Sequence, residues 1–392
     1  MAKINSLQSQ LSKTFLAFFS SQKISGGLLL IATIISLGLS NSSHSASYIS
    51  LWTKEFEIFG LPHLSLLHII NEGLMTVFFF FVGIEINREL ISGELKGFNK
   101  AIIPVSAAVG GMLLPALIYF FFNKGTATSH GWGIPMATDI AFAFGIISML
   151  GDKISNSAKV LITALAVVDD LGAVLVIALF YSETIKWSFL LAAAIILILL
   201  VVVNTKKNIS ATIFVIAGIL LWYCILQSGI HSTIAGVLLA ATIPYNGKEN
   251  SLLEKFESVL HKPVNFIIIP VFAMANTAIA ISGNMIGELH SPVGLGIFFG
   301  LVIGKPLGIV LAVLLTLYLL KRKMPNGINF QSLLGLGFLG GIGFTMSIFI
   351  AMVAFDEPQN ISGAKFSIIT ASLLSGCLGY FLLRFQKKVI HA

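Results

Sequence analysis

Short polar turns divide this chain into apolar runs of membrane-crossing length, and that division limits the possible folds more than any single motif does. A helix needs about 20 mostly apolar residues to cross the hydrocarbon of a bilayer. Such runs fall at residues 25–39, 64–86, 101–122, 131–150, 157–181, 187–203, 209–226, 229–242, 263–281, 291–320, 330–355 and 363–385. The reading is therefore twelve transmembrane helices, with the run at 229–242 short and the run at 291–320 long enough to tilt or to extend beyond the bilayer. Of the 392 residues 56% are hydrophobic and 10% are charged, against about a quarter charged in an average soluble domain. A soluble fold cannot bury that much apolar surface, so lipid is the solvent for much of it. The fold class that follows is an all-α polytopic membrane protein. The two cysteines, Cys224 and Cys377, sit inside apolar runs and are expected to pack as small hydrophobes rather than to form a disulfide framework.

The basic residues set the topology. With twelve spans both termini share a side, and 19 of the 24 lysines and arginines fall on that side, 4 fall on the other (Lys54, Lys124, Lys186 and Lys365), and Lys305 lies inside a span. The positive side of a membrane protein faces the cytoplasm, which places both termini of this multi-pass protein there. The net charge of +7 is spread over short loops and never gathers into a patch that would track phosphates, so no nucleic-acid partner is expected. The chain reads as a single integral membrane domain, 1–392. Residues 1–23 are an amphipathic cytoplasmic N-terminus with Ile4, Leu7, Leu11, Phe15 and Phe18 at helical spacing, 24–386 are the membrane region, and 387–392 are a cytoplasmic tail. The longest outer loop, about 40–63, has room for a small hairpin. Before Pro263, Leu252, Phe256, Val259 and Leu260 fall on one helical face and Glu254 and Glu257 on the other, as in an interfacial helix end.

Ionisable residues at mid-membrane are expensive and mark function. Asp139, Asp169, Asp170 and Lys305 each stand at the centre of a span. A structural ion pair between Lys305 and one aspartate accounts for two of these charges, and only protons or a metal cation can neutralise the other two. Adjacent helical residues point about 100° apart, so of Asp169 and Asp170 one can meet Lys305 while the other faces a water-filled cavity. Carboxylate oxygens suit small hard cations. Two spans also read as broken. Pro135 precedes Met136-Ala137-Thr138-Asp139 in one, and Gly335, Gly337, Gly340, Gly341 and Gly343 precede Phe344-Thr345-Met346-Ser347 in the other. Unwound backbone is tolerated in a membrane only where it lines a cavity or is buried in protein, and paired breaks point to a transporter's binding site. If the breaks cross, Asp139 would offset the positive helix N-termini and Lys305 the negative C-termini.

These residues carry a family resemblance. The stretches are Phe78-Phe79-Phe80-Phe81-Val82-Gly83-Ile84-Glu85-Ile86-Asn87-Arg88-Glu89-Leu90, Ala137-Thr138-Asp139-Ile140-Ala141-Phe142, Ala166-Val167-Val168-Asp169-Asp170-Leu171-Gly172-Ala173, Gly229-Ile230-His231-Ser232-Thr233-Ile234-Ala235-Gly236, Gly304-Lys305-Pro306-Leu307-Gly308 and Gly341-Ile342-Gly343-Phe344-Thr345-Met346-Ser347. In that order and over nearly the whole chain, the sequence resembles the NhaA-type bacterial Na⁺/H⁺ antiporters. The resemblance implies twelve helices in inverted-topology repeats, with the broken fourth and eleventh spans crossing. It implies electrogenic exchange of two H⁺ for one Na⁺ (or Li⁺) in pH and sodium homeostasis, with no cofactor, in a homodimer embedded in lipid. Asp170 becomes the main cation ligand and proton carrier, with Asp169 beside it as a second ligand that pairs with Lys305 when the cation is absent. Thr138 and Asp139 sit at the crossing. Glu85, Arg88, Glu257, His261 and His231 fall on the family's pH-response positions. Two departures stand out. Ser258 occupies a position that is often histidine, which bears on the pH set-point. The outer loop around Gly60-Leu61-Pro62 is short, which bears on the dimer.

Other classes fit worse. An intramembrane aspartyl protease needs two carboxylates sharing a proton, which Lys305 at the same depth would spoil, and the sequence has no Gly-x-Gly-Asp element. A cation channel builds its filter from equivalent groups across subunits, whereas these charges are unequal and lie on one chain. A transporter of another cation or of an organic acid on a similar scaffold is the nearest alternative.

Overall fold

The apolar runs become helices. The computed structural model describes residues 24–58, 61–182, 185–204, 210–245, 251–281 and 285–386. The amphipathic N-terminus and the C-terminal tail expected from the sequence lie outside the described residues. Helix α1 (Ile24–Ser40) turns by 117° into the short α2 (Ser45–Thr53). Strands β1 (Glu55–Ile58) and β2 (Leu61–Ser65) then pair antiparallel, Glu55 opposite Ser65. Next come α3 (Leu66–Ile91), α4 (Phe98–Asn123) and a 3-10 segment (Ala127–Met136) that leads to α5 (Ile140–Leu150). They are followed by α6 (Asn156–Phe180), α7 (Trp187–Asn204), α8 (Ala211–Ser228) and the short α9 (Ile234–Ala241). The described chain closes with α10 (Leu252–Asn276), α11 (Met285–Leu289), α12 (Pro292–Leu319), α13 (Phe330–Gly340), α14 (Phe344–Ala354) and α15 (Pro358–Arg384).

Among the described residues, nine helices are long and apolar enough to cross a membrane, or eleven when the bent pairs α1–α2 and α13–α14 are each taken as one span. The run at 229–242 supplies only the eight residues of α9, about 12 Å of helix, which is too short to cross alone. Two sequence boundaries move. α10 begins at Leu252 and passes through Pro263 without ending, because the turn after the proline, Val264–Ile268, is π-helical and absorbs the missing N–H. In that stretch Val259 is 68% exposed and Leu253 is the buried residue, a register the apolar pattern had not given. α15 starts with Pro358 in its first turn, which draws Lys365 out of the expected outer loop and into a buried helical position. Cys224 is half-buried against α7 and α9 as expected, but Cys377 is exposed on α15.

Close packing fixes the frame around the centre. A Cβ on Gly308 of α12 would lie 2.1 Å from the Gly110 carbonyl oxygen of α4, and one on Gly110 would lie 2.3 Å from that of Gly308, so only this glycine pair lets the two backbones touch. A Cβ on Gly236 would lie 2.4 Å from the Thr76 carbonyl oxygen, which seats α9 on α3. Burial separates centre from edge. Of the apolar stretches, 67% of Ala127–Leu150 and 61% of α6 are buried, against 11% of α7 and 22% of α8. α7 and α8 therefore face lipid, and they join the rest through a smaller apolar cluster that includes Phe214, Leu221, Ile225 and Leu239. The charged centre has to lie among α3, α5, α6, α10, α12 and α14.

Candidate functional site

Two backbone breaks meet at that centre. After Pro135 the 3-10 segment ends, residues 137–139 run outside any helix, and Asp139 caps α5. After Gly340 the chain leaves α13, and α14 sets off bent by 43°. Each break frees backbone groups that lipid cannot satisfy. They are satisfied across the crossing. The Asp139 amide donates to the Ile342 carbonyl (2.6 Å), the Thr138 hydroxyl to the Gly340 carbonyl (2.8 Å), and the Ser347 hydroxyl to the Ile134 carbonyl (2.7 Å).

The Asp139 carboxylate serves two helix starts at once. Oδ1 accepts from the Phe142 amide of α5 (3.0 Å), and Oδ2 accepts from the amide (3.0 Å) and hydroxyl (2.5 Å) of Thr345 in α14. An anion here complements the positive ends of both dipoles. The opposite polarity is met by Lys305, whose ammonium donates to the Met136 carbonyl at the end of the 3-10 segment. A π-helical turn, Gly300–Gly304, immediately precedes Lys305 in α12, and such turns are frequent at functional sites.

α6 presents its two aspartates differently. Asp169 Oδ2 accepts from the Lys305 ammonium (2.6 Å) and the Thr138 hydroxyl (2.7 Å), with both members of the ion pair fully buried. Asp170 points away from this pair. Both of its oxygens are buried and accept no hydrogen bond among the described residues. Its carboxylate lines a cavity of about 30 Å³ together with Glu85, Asp139, Thr345 and Asn265. That volume suits one water-sized body. The donors are hard oxygens, the chemistry that suits a small hard cation, and the lone carboxylate can equally hold a proton. Asp170 and Asp169 are thus the candidate ligands of a small hard cation.

The candidate pH-response residues divide between two places. Glu85 is buried in α3 and shares the Asp170 cavity. One turn further on, Arg88 pairs with Glu257 of α10 and, at 3.3 Å, with Glu89. The His261 ring stands against Phe81, which also lines the cavity, with centroids 6.1 Å apart. His231 lies elsewhere. Its Nδ1 is 3.3 Å from Glu72 Oε1, and the two line a second cavity of about 240 Å³ with His68, Asn71 and Met352. Glu72 and Glu85 stand about 20 Å apart along α3. Phe349, whose ring closes the second cavity, packs on Phe79 and Phe272.

Sequence reasoning had passed over Glu72, Asn265 and the burial of Lys365. Glu72 lies within the run 64–86 and Asn265 within the run 263–281, both off the span centre, the position at which a charge marks function. The usable signal for both was a polar residue within a stretch otherwise free of them.

A helical membrane fold whose broken helices meet over buried carboxylates and a buried lysine has the architecture of a transporter. The sequence profile of the family described as Na⁺/H⁺ antiporter 1 matches residues 16–383. The Na⁺/H⁺ antiporter NhaA 1 of Flavobacterium johnsoniae is 49% identical over 377 residues, covering 96% of this chain and 98% of the relative. The Na⁺/H⁺ antiporter NhaA of Flavobacterium psychrophilum is 46% identical over 375 residues (95% and 96%), and that of Cytophaga hutchinsonii is 46% identical over 372 residues (95% of each). The chain belongs to the Na⁺/H⁺ antiporter 1 family, a family of transporters rather than enzymes.

Proposed function

We propose that this protein exchanges Na⁺, or Li⁺ in its place, for H⁺, with the Asp170 carboxylate holding cation and proton in turn. The observation that carries the reading is Asp170 itself: buried, without a hydrogen-bond partner among the described residues, and lining a cavity of about 30 Å³. A structural carboxylate in such a place would be paired, as Asp169 and Asp139 are. A carboxylate that must alternately take up and release a proton and a cation is served by having no permanent partner. One occupant excludes the other, so coupling needs no separate device beyond exposure of the site to one side at a time.

The Asp169–Lys305 pair supplies the second titratable element of the reading. If cation binding at Asp170 draws Asp169 away from Lys305, and the Lys305 ammonium then gives up its proton, two H⁺ move against one Na⁺ and each cycle carries one net charge. The further parts of the proposal are regulation by Glu85, Arg88, Glu257, His261 and His231, a single membrane domain with both termini in the cytoplasm of a bacterial inner membrane, a homodimer, and operation without a resident cofactor, in the service of pH and sodium balance. The test is flux in proteoliposomes that report internal pH. Addition of Na⁺ or Li⁺ on one side should drive protons uphill, K⁺ should not, and the response should scale with an imposed membrane potential. Proton movement unaffected by a Na⁺ gradient would remove the reading.

A further inference from the structure

Asn265 has no place in the account so far, yet it lines the same cavity as Asp170. It lies in the π-helical turn Val264–Ile268 of α10 and is only 3% exposed. Both ends of the residue are held. Its backbone carbonyl accepts from the Ser25 hydroxyl of α1 (2.9 Å), and its side-chain Nδ2 donates to the His261 carbonyl one turn back (2.8 Å). With one Nδ2–H held by its own helix, Oδ1 is the acceptor that the side chain offers to the cavity it lines. The wide π-turn begins directly after Pro263 and carries Asn265 as its second residue.

We infer that Asn265 Oδ1 is a neutral ligand to the transported cation, adding an uncharged oxygen to the carboxylate oxygens that Asp170 brings to the same cavity. The inference rests on the proposed exchange at Asp170. A small hard cation gathers several oxygens, and a carbonyl-type oxygen contributes a dipole without a charge. An amide does not titrate. Asn265 therefore offers the cation a ligand dipole, whereas it offers the protonated acid only an ordinary hydrogen bond, and so it favours the cation-bound state. Asp170 binds both competitors, whereas Asn265 favours one of them, which makes it a residue that sets the exchange ratio of affinities. A second carboxylate at this position would hold the cation more tightly and slow its release.

The test compares Asn265→Leu with Asn265→Asp in proteoliposomes, with Asp170→Asn alongside. Both Asn265 variants lose the hydrogen bond to the His261 carbonyl, so a purely positioning role would make them behave alike. A ligand role separates them. Removing a group that binds or orients an ion typically weakens affinity 10- to 100-fold. Asn265→Leu should therefore raise the apparent KM for Na⁺ by about 10-fold, more than it changes the maximal rate. It should also alter the Na⁺ to Li⁺ preference, while Asn265→Asp lowers the KM. The same order should appear without transport, as the rise in melting temperature of detergent-solubilised protein on adding Na⁺: largest in Asn265→Asp, smallest in Asn265→Leu. Equal KM shifts in the two variants, or no shift in either, while wild type exchanges and Asp170→Asn does not, would overturn the inference and leave the function standing. Exchange retained by Asp170→Asn would overturn both.

Discussion

At the crossing of the broken helices the Asp139 carboxylate accepts from Phe142 and twice from Thr345, the Lys305 ammonium meets both Asp169 and the Met136 carbonyl, and Thr138 bridges Asp169 to Gly340. In the cavity that Asp139 helps to line, Asp170 accepts nothing among the described residues. The two regions share residues, depth and chemistry and treat charge in opposite ways. The crossing uses charge to hold unwound backbone in place, and the cavity leaves a buried carboxylate without a partner among the described residues. Stability and transport should therefore respond differently to mutation in the two regions.

The largest effect expected is in the cavity. Asp170→Asn should abolish Na⁺-driven proton flux while the melting temperature in detergent stays level or rises, because an unpartnered buried carboxylate contributes nothing to the fold. A mutant that loses stability along with activity would break the comparison. At the crossing, Lys305→Ala should lower stability by about 3–5 kcal/mol, since it leaves the Asp169 carboxylate buried and unpaired. Differential scanning fluorimetry in detergent checks this, and an unmoved transition contradicts the ion-pair account. Asp139→Asn should lose charge-assisted bonds at two helix starts, about 1.5–3 kcal/mol, with part of the exchange activity surviving in intact vesicles. The smallest effect belongs to the edge of the cavity. Glu257→Gln removes the partner of Arg88, and His261→Ala removes an ionisable ring that stands against Phe81 of the cavity wall. Each should move the pH profile of exchange by roughly half a pH unit with maximal exchange largely kept, and superimposable profiles would exclude a regulatory role.

Much of the crossing was legible before the fold was known, because its signals are steric and local. Pro135 and the run of glycines from Gly335 to Gly343 break helices wherever they occur, and a lysine centred in an apolar run demands an acid. Two adjacent aspartates on a helix cannot both meet that lysine, and the structure separates Asp169 from Asp170 as that geometry requires. What stayed hidden depends on distance in sequence. The bonds of Asp139 to Thr345 join residues 206 apart, and Ser25 reaches the Asn265 carbonyl across 240. The three π-helical turns among the described residues, Ile69–Leu74, Val264–Ile268 and Gly300–Gly304, carry no local signature, so the place of Asn265, the setting of Glu72 and the continuity of α10 past Pro263 could not be read off. The short α9 was seen as a weak span, but its seat on α3 depends on Gly236 lying against Thr76, a contact that only the fold discloses.

The central claim is that Na⁺ and H⁺ contend for one carboxylate, and the dependence of exchange on Na⁺ concentration at several pH values tests it most directly. If Asp170 holds either ion, raising the pH frees the site. The apparent KM for Na⁺ should then fall as pH rises, close to tenfold per pH unit on the acid limb for a single competing proton, and saturating Na⁺ should restore most of the rate at low pH. A KM that stays constant while only the maximal rate changes with pH would contradict the shared site and move control to a separate gate around Glu257 and His261.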